Sequence, residues 1–297
     1  MADISFLGLG KMGVAMASHL LRRGHRLNIY NRTAARAKPL ADSGARIFGT
    51  PREACHGAGV IISMVADDNA SAAMWCGRDG ALAADLRQNA FAIECSTLSH
   101  AWVKDLSAQC LAAGLRYVDA PVTGLPEAAA SGQLTLLVGA REQDLAAIRP
   151  ILADLATQIL RFGPVGAGTV YKLIINLLGA VQIASAAESL ALAERAGLEM
   201  SVVAEAIGIS QAASPQVVRN VGRMIAADHD QNIVFTSALR QKDVGYALRL
   251  ARELNVGTPF GAVANDIYRQ LCDIGRGQVN ESSVIEVLRA QASKTRN

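Results

Sequence analysis

Hydrophobic and polar positions along this chain follow two rhythms. Up to about residue 162, short apolar runs of strand length recur at Ile4–Leu7, Arg26–Tyr30, Gly59–Met64, Ala90–Glu94, Arg116–Ala120 and Leu134–Val138. Segments of helical period lie between several of them, at Met12–Arg23, Ala34–Ser43 and Ala101–Ala113. Alternation of this kind predicts repeated βα units around a mostly parallel sheet. Gly24, Gly44 and Gly114 stand where those helices should stop. After Gly163 the strand pattern fades. Long helical patterns follow at Gly168–Ala196, Met200–Ser210, Pro215–Ala227, Leu239–Leu254, Thr258–Arg276 and Ser282–Ala290. The expected architecture is an α/β Rossmann domain over residues 1–162, then an all-α domain over 163–297 entered through a long helix. The apolar stretch Leu173–Ala187 is broken by Asn176, Gln182 and Ser185, which predicts a buried helix rather than a membrane span.

The first apolar run leads directly into Gly8-Leu9-Gly10-Lys11-Met12-Gly13, and a helical pattern follows. This is the G-x-G-x-x-G spacing in the context its chemistry requires. The first glycine permits the tight turn, the second lets a pyrophosphate approach the backbone, and the third lets the helix pack closely on the strand. Amides at the helix start then face the anion. Dinucleotide binding is therefore expected at Gly8, Leu9, Gly10, Lys11, Met12 and Gly13. The second strand ends in Asn31-Arg32-Thr33, where an NAD site usually carries an Asp or Glu for the ribose hydroxyls. A carboxylate there would repel a 2′-phosphate, whereas a guanidinium can pair with one. Asn31, Arg32, Thr33 and Arg36 thus predict NADP in preference to NAD, with NAD still open.

Charge and composition narrow the remaining classes. The net charge of +3 comes from 29 basic and 26 acidic residues, without basic clusters interleaved with aromatics, so no nucleic-acid partner is expected. No membrane partner is expected either. The five cysteines are scattered without a C-x-x-C pair, and the five histidines show no ligand spacing. Reduced thiols, no metal and a cytoplasmic location are the expectation.

Chemistry beyond cofactor binding points to Gly166–Asn176, at the junction of the two rhythms. Lys172 and Asn176 share a helix face and are polar positions in an apolar stretch. An ammonium can give a proton to a carbonyl oxygen as hydride arrives and stabilise the developing alkoxide; an ordinary snorkelling lysine is the plain alternative. Asp119-Ala120-Pro121-Val122-Thr123-Gly124 closes another predicted strand, at the end where open α/β sheets hold ligands. Thr123 and the Gly124 amide could anchor a carboxylate, or could simply form a turn.

Together, Gly8–Gly13, Asp119–Gly124, Gly166–Asn176 and Lys242-Asp243 resemble the β-hydroxyacid dehydrogenase family over Ile4 to about Leu288. The family includes 3-hydroxyisobutyrate dehydrogenases, tartronate semialdehyde reductases and glyoxylate/succinic semialdehyde reductases. The resemblance implies that Lys172 is the general acid or base and that Asn176 orients the substrate oxygen. Thr123 and Gly124 would hold a small carboxylate-bearing substrate, and Lys242 would close over both substrate and nicotinamide. It also implies cofactor contacts at Met64, Val65 and Thr97, and a homodimer or homotetramer. Leu125, followed by Pro126, replaces the family's usual second glycine and should reshape the substrate pocket. Ala66 and His100 stand where many relatives carry proline. Related imine reductases commonly replace the catalytic lysine, so Lys172 favours carbonyl or hydroxyacid chemistry. Imine reduction, dehydrogenation of a serine-type β-hydroxyl and a non-catalytic dinucleotide-binding role stay as alternatives.

Overall fold

The computed structural model describes residues 1–294, and its backbone divides into two compact units, Met1–Lys172 and Leu173–Asn297. The first unit holds a sheet with nine strands among the described residues: β1 (Asp3–Leu7), β2 (Arg26–Tyr30), β3 (Arg46–Ile47), β4 (Val60–Ser63), β5 (Phe91–Glu94), β6 (Arg116–Asp119), β7 (Val122–Thr123), β8 (Leu134–Gly139) and β9 (Ala156–Gly163). The order is β3-β2-β1-β4-β5-β6-β8-β7, with β9 also paired to β8. Strands β1 to β6 run parallel to one another, whereas β8 runs antiparallel to β6 and β7. The mostly parallel sheet expected from the alternating pattern is thus present.

The central parallel strands β1, β4, β5 and β6 are buried on both faces, which is why they read as largely apolar runs. Val60–Ser63 is buried at every position, and Ile4, Phe6 and Leu7 are at most 1% exposed. One core cluster joins Phe6, Met16, Leu20, Ile29, Ile62 and Val138; another, around Leu7, Trp75, Ala92, Leu106 and Tyr117, belongs to the same unit. Strand order reverses between β1 and β4, since β1 continues through β2 in one direction and through β4 in the other. Ligands of open α/β sheets sit at such a point, beyond the carboxyl ends of the strands.

Several elements depart from the sequence pattern. The expected helix Ala34–Ser43 is a 3₁₀ turn, Ala34–Arg36, and a short helix, Lys38–Asp42. Pro39 lies at the start of that second piece, where its missing N–H is harmless, and this restarts the helix there. Strand β9 gave no recognisable signal. Seven of its eight positions are exposed or half-exposed polar and apolar residues without clean alternation, and pairing with β8 alone makes it a strand. Helices Asp68–Trp75 and Glu142–Leu152 also form between strands.

The helix expected at the junction spans Ala167–Arg195, 29 residues. It begins in the first unit and continues into the second. By length and composition alone it could cross a bilayer, but half of its most apolar 18-residue window is buried in the protein. Leu173, Ala180, Ile183, Ala187 and Leu190 form its buried face. In the second unit Ala180, Ile183, Ala187 and Leu190 join Val221, Met224, Val244, Tyr268, Leu271 and Ile285, contributed by helices Pro215–Ala226, Ser237–Glu253, Pro259–Asp273 and Val284–Lys294.

Candidate active site

Gly8 leaves β1 at φ 95°, in the left-handed region that favours glycine. A Cβ there would lie 2.4 Å from the Met64 carbonyl oxygen and 2.7 Å from Val65 Cγ1, so the turn presses directly on the end of β4. Gly13, in helix Lys11–Arg22, would place a Cβ 2.1 Å from the Gly8 carbonyl. Gly10 differs: nothing lies within 4 Å of its would-be Cβ. The helix starts at this open position, without a side-chain cap and without an acidic residue in its first turn. The N-terminal donors and dipole therefore suit an anion, and the turn fits a dinucleotide pyrophosphate.

The other cofactor candidates divide by what their side chains do. Leu9 is fully buried, so only its backbone faces the turn, and its N–H donates to Asn31 Oδ1 at 2.8 Å. Asn31 also donates through Nδ2 to the Thr33 carbonyl at 2.9 Å. It shapes the glycine turn with both ends of its amide. Arg32, Thr33 and Arg36 are exposed, and neither arginine has an acidic partner among the described residues. Lys11 is exposed and Met12 half-buried. Met64, Val65 and Thr97 are half-buried beyond the ends of β4 and β5. The Val65 N–H donates to Ser96 Oγ at 2.7 Å, which ties these two loops together.

Beneath that tie lies a carboxylate absent from the sequence-derived site. Glu94, 1% exposed at the end of β5, accepts from Ser71 Oγ and Trp75 Nε1, both at 2.8 Å, and from the Ser96 N–H at 3.1 Å. Burial raises its pKa, opposed by the hydrogen bonds from Ser96, Trp75 and Ser71. A cavity of about 320 Å³ at the opposite, amino-terminal end of the sheet, lined by Asp3, Arg26, Arg46 and Arg87, takes no part in this arrangement. Its Arg26 is bound by Asp3, through Nε at 2.5 Å and Nη2 at 2.8 Å.

Lys172 is half-buried, one turn into the long helix. The first turn of that helix is fixed at three points within the first unit. Asp119, at the end of β6, accepts from the Gly166 N–H at 2.9 Å and the Thr169 N–H at 2.8 Å. Gly168 lies so close to β8 that a Cβ would sit 2.1 Å from the Leu137 carbonyl oxygen. Tyr171 stacks on Phe162 of β9, with ring centroids 4.0 Å apart. Strand β8 also carries the substrate candidates, since Thr123 of β7 pairs with Thr135 and Val122 with Leu136. Thr123 is half-buried and Gly124 adopts φ 130°, while Leu125, 37% exposed, precedes helix Pro126–Ala130.

In the second unit, Asn176 is buried and donates through Nδ2 to Asp243 Oδ2 at 2.6 Å. A carboxylate oxygen accepts, which orients the Asn176 amide with Nδ2 towards Asp243. Lys242 Nζ lies 2.9 Å from Asp243 Oδ1 and 5.0 Å from the centroid of the Tyr246 ring. Arg240 donates to the Asn176 carbonyl at 2.9 Å and pairs with the buried Glu281. The backbone and side chain of Asn176 are thus both anchored to helix Ser237–Glu253.

Comparison with known proteins decides the family. The description "NAD binding domain of 6-phosphogluconate dehydrogenase" matches residues 3–163, and "NAD-binding of NADP-dependent 3-hydroxyisobutyrate dehydrogenase" matches 166–288. The chain belongs to the β-hydroxyacid dehydrogenase family. Among relatives, the NAD-dependent L-serine dehydrogenase of Pseudomonas aeruginosa is 33% identical, over 97% of this chain and 98% of that one. The 3-sulfolactaldehyde reductase of Escherichia coli is 30% identical, over 99% and 98%. Among solved structures, the 3-hydroxyisobutyrate dehydrogenase of Mycobacterium tuberculosis with L-serine superimposes at a TM-score of 0.87, with 30% identity over 97% of this chain and 99% of that one. The chain is therefore an oxidoreductase of the dehydrogenase/reductase class that uses a nicotinamide dinucleotide.

Within this family frame, the residues that the sequence reading left out of the site are the acids that hold the others: Glu94, Asp119 and Asp243. Glu94 and Asp119 are carboxylates that end short buried strands, and that was the available signal; Asp243 lies in a polar helix that offered none. The cysteines stay apart from this chemistry. All five are free, and burial pushes the Cys55 thiol up to about 12 and those of Cys95 and Cys110 higher still.

Proposed function

We propose that the protein interconverts a short hydroxy acid and its semialdehyde or oxo acid, preferring NADP, with Lys172 as the group that gives and takes the proton. Bound reduced cofactor supplies the hydride. Lys172 protonates the carbonyl oxygen as that hydride arrives, and its charge stabilises the oxygen as it becomes an alkoxide. In the oxidative direction the neutral amine receives the hydroxyl proton. Thr123 and the Gly124 N–H hold the substrate carboxylate, and Asn176 Oδ1 accepts from the substrate hydroxyl. Leu125 excludes bulky polar substituents beside that carboxylate. The observation that carries the reading is the pairing of Lys172 and Asn176 on one helix face, with the helix start fastened to β6 and β8.

The NADP preference rests on Arg32 and Arg36, exposed and without acidic partners among the described residues, beside an asparagine in place of a carboxylate. A β-hydroxyl amino acid is the second substrate class, supported by the relatives named for or solved with L-serine. Exposed apolar residues of the second unit, including Leu192, Ile209 and Phe260 at 72%, 83% and 77%, support assembly into a homodimer or homotetramer. The free thiols suit a reducing compartment such as the cytoplasm.

The test is a turnover panel of semialdehydes, 3-hydroxy acids, L-serine and cyclic imines with NADPH and NADH, repeated for Lys172→Ala. Lys172→Ala should lower kcat by about 10²–10⁴-fold with cofactor affinity nearly unchanged. Full turnover by that variant removes Lys172 from the reaction, and higher kcat/KM with NADH refutes the cofactor preference.

A further inference from the structure

We propose that Asp119 is the positioning residue of the reaction: its carboxylate clamps the first turn of the Lys172 helix and so aims the lysine. This inference rests on the catalytic reading of Lys172. The geometry is specific. Asp119 is fully buried at the end of β6, yet both of its oxygens are engaged, Oδ1 by the Gly166 N–H and Oδ2 by the Thr169 N–H. Those two amides belong to the residue before the helix and to its first turn, where backbone donors lack partners within the helix. A carboxylate here acts as an N-cap supplied by a strand 47 residues away, and it also meets the positive end of the helix.

The surroundings leave the carboxylate little room to move. A Cβ on Gly139 would lie 2.1 Å from Asp119 Oδ1, and one on Gly168 would lie 2.1 Å from the Leu137 carbonyl. The amide of Ala140 is bound to Gly163, which keeps the loops after β8 and β9 together around the clamp. Lys172 lies three residues after Thr169, so loosening this turn displaces the ammonium directly. A misplacement near 1 Å at a reacting group is worth about 10²-fold in rate.

Only the ionised carboxylate accepts well from both amides, so the clamp should weaken on protonation. Burial raises the Asp119 pKa to about 6, opposed by the Gly166 and Thr169 backbone bonds. The titratable and charged groups on the surrounding elements are Tyr117 on β6 and Glu94, which is in register with Asp119 on β5. Others are His100 and Lys104, whose side chains approach Gly166, Arg161 on β9, bound to the Ala140 carbonyl, and Tyr171 and Lys172 on the long helix itself. Reduction consumes a proton, so acid by itself is not expected to slow it. A fall in reductive kcat below about pH 6 is therefore the mark of the clamp.

The experiment measures reductive kcat from pH 5 to 8, cofactor affinity by titration, and hydrogen exchange of residues 166–172 without cofactor, in wild type, Asp119→Asn, His100→Gln and Lys172→Ala. Wild type should show the acid limb, and His100→Gln should keep it. Asp119→Asn should lose 10-fold or more in kcat at pH 7.5, show no acid limb, exchange faster over 166–172, and bind cofactor within two-fold of wild type. Added to Lys172→Ala, it should lower residual turnover no further. The proposal is overturned by a flat wild-type profile, by a limb that persists in Asp119→Asn or vanishes in His100→Gln, or by cofactor affinity and kcat falling together. An inactive Lys172→Ala beside a fully active Asp119→Asn sinks the clamp alone. An active Lys172→Ala sinks the catalytic reading first.

Discussion

Substituting Gly168 with alanine probes whether catalysis depends on where the long helix begins. The added Cβ would stand 2.1 Å from the Leu137 carbonyl oxygen, 2.8 Å from the Gly139 nitrogen and 2.9 Å from the Leu137 carbonyl carbon. All three atoms are backbone of β8, inside a sheet, and cannot rotate aside as a side chain would. Relief to ordinary contact therefore requires the helix start to lift by about 1 Å, enough to reduce a positioned reaction by about 10²-fold. Overpacking of this kind destabilises by about 1–3 kcal/mol, partly offset by the roughly 1 kcal/mol that alanine gains over glycine in a helix. The expected result is a modest fall in Tm, a kcat reduced about 10²-fold and near-normal cofactor affinity, because the glycine turn at Gly8–Gly13 is untouched. Steady-state kinetics, cofactor titration and thermal unfolding separate these quantities. A Gly168→Ala enzyme with wild-type kcat would refute the argument that this contact sets the lysine.

Three further outcomes follow from the same geometry. Glu94→Ala leaves the Ser71, Trp75 and Ser96 donors buried without their acceptor, at about 1–3 kcal/mol per group, so urea unfolding should shift clearly and cofactor KM should rise as the Val65–Ser96 tie loosens. An unshifted urea midpoint would show that water or another group replaces the carboxylate. Asn176→Asp puts a second carboxylate 2.6 Å from Asp243, which should lower Tm at pH 8 and restore much of it near pH 5; a pH-independent Tm difference from wild type would contradict this. Asp119 also has a stability consequence. Its pKa is raised from 3.8 to about 6, so the folded chain holds the proton more tightly, and the group's contribution is favourable below about pH 4 and is lost as pH rises through 6. The full shift corresponds to about 3 kcal/mol. The Tm of Asp119→Asn minus that of wild type should therefore become more positive between pH 4.5 and 7.5, and a constant difference would oppose the assignment.

Local pattern was enough for much of this protein. A strand followed by Gly8-Leu9-Gly10-Lys11-Met12-Gly13 specified the turn, because positive φ at Gly8 and close packing at Gly13 are demands on single residues. The central parallel strands were legible because burial on both faces leaves an apolar run, and the long helix because its 29 residues are apolar on most faces and free of proline. Strand β9 was not legible, since its partner β8 rather than its own composition makes it a strand. The helix expected over Ala34–Ser43 is interrupted where Pro39 starts the short helix Lys38–Asp42, a signal the helical period of the segment did not carry.

The site separates along the same line. Residue type and spacing marked Lys172 and Asn176, four apart on a helix, and Arg32 after an acid-free strand end. What orients them came only with the tertiary structure: Asp119 reaches amides 47 and 50 positions further on, and Asp243 reaches an amide 67 positions earlier. A carboxylate's partners at such separations are chosen by how strands and helices pack. Sequence therefore marked the candidate groups for proton and cofactor chemistry, and the fold decided which buried acids bond to the segments that carry them.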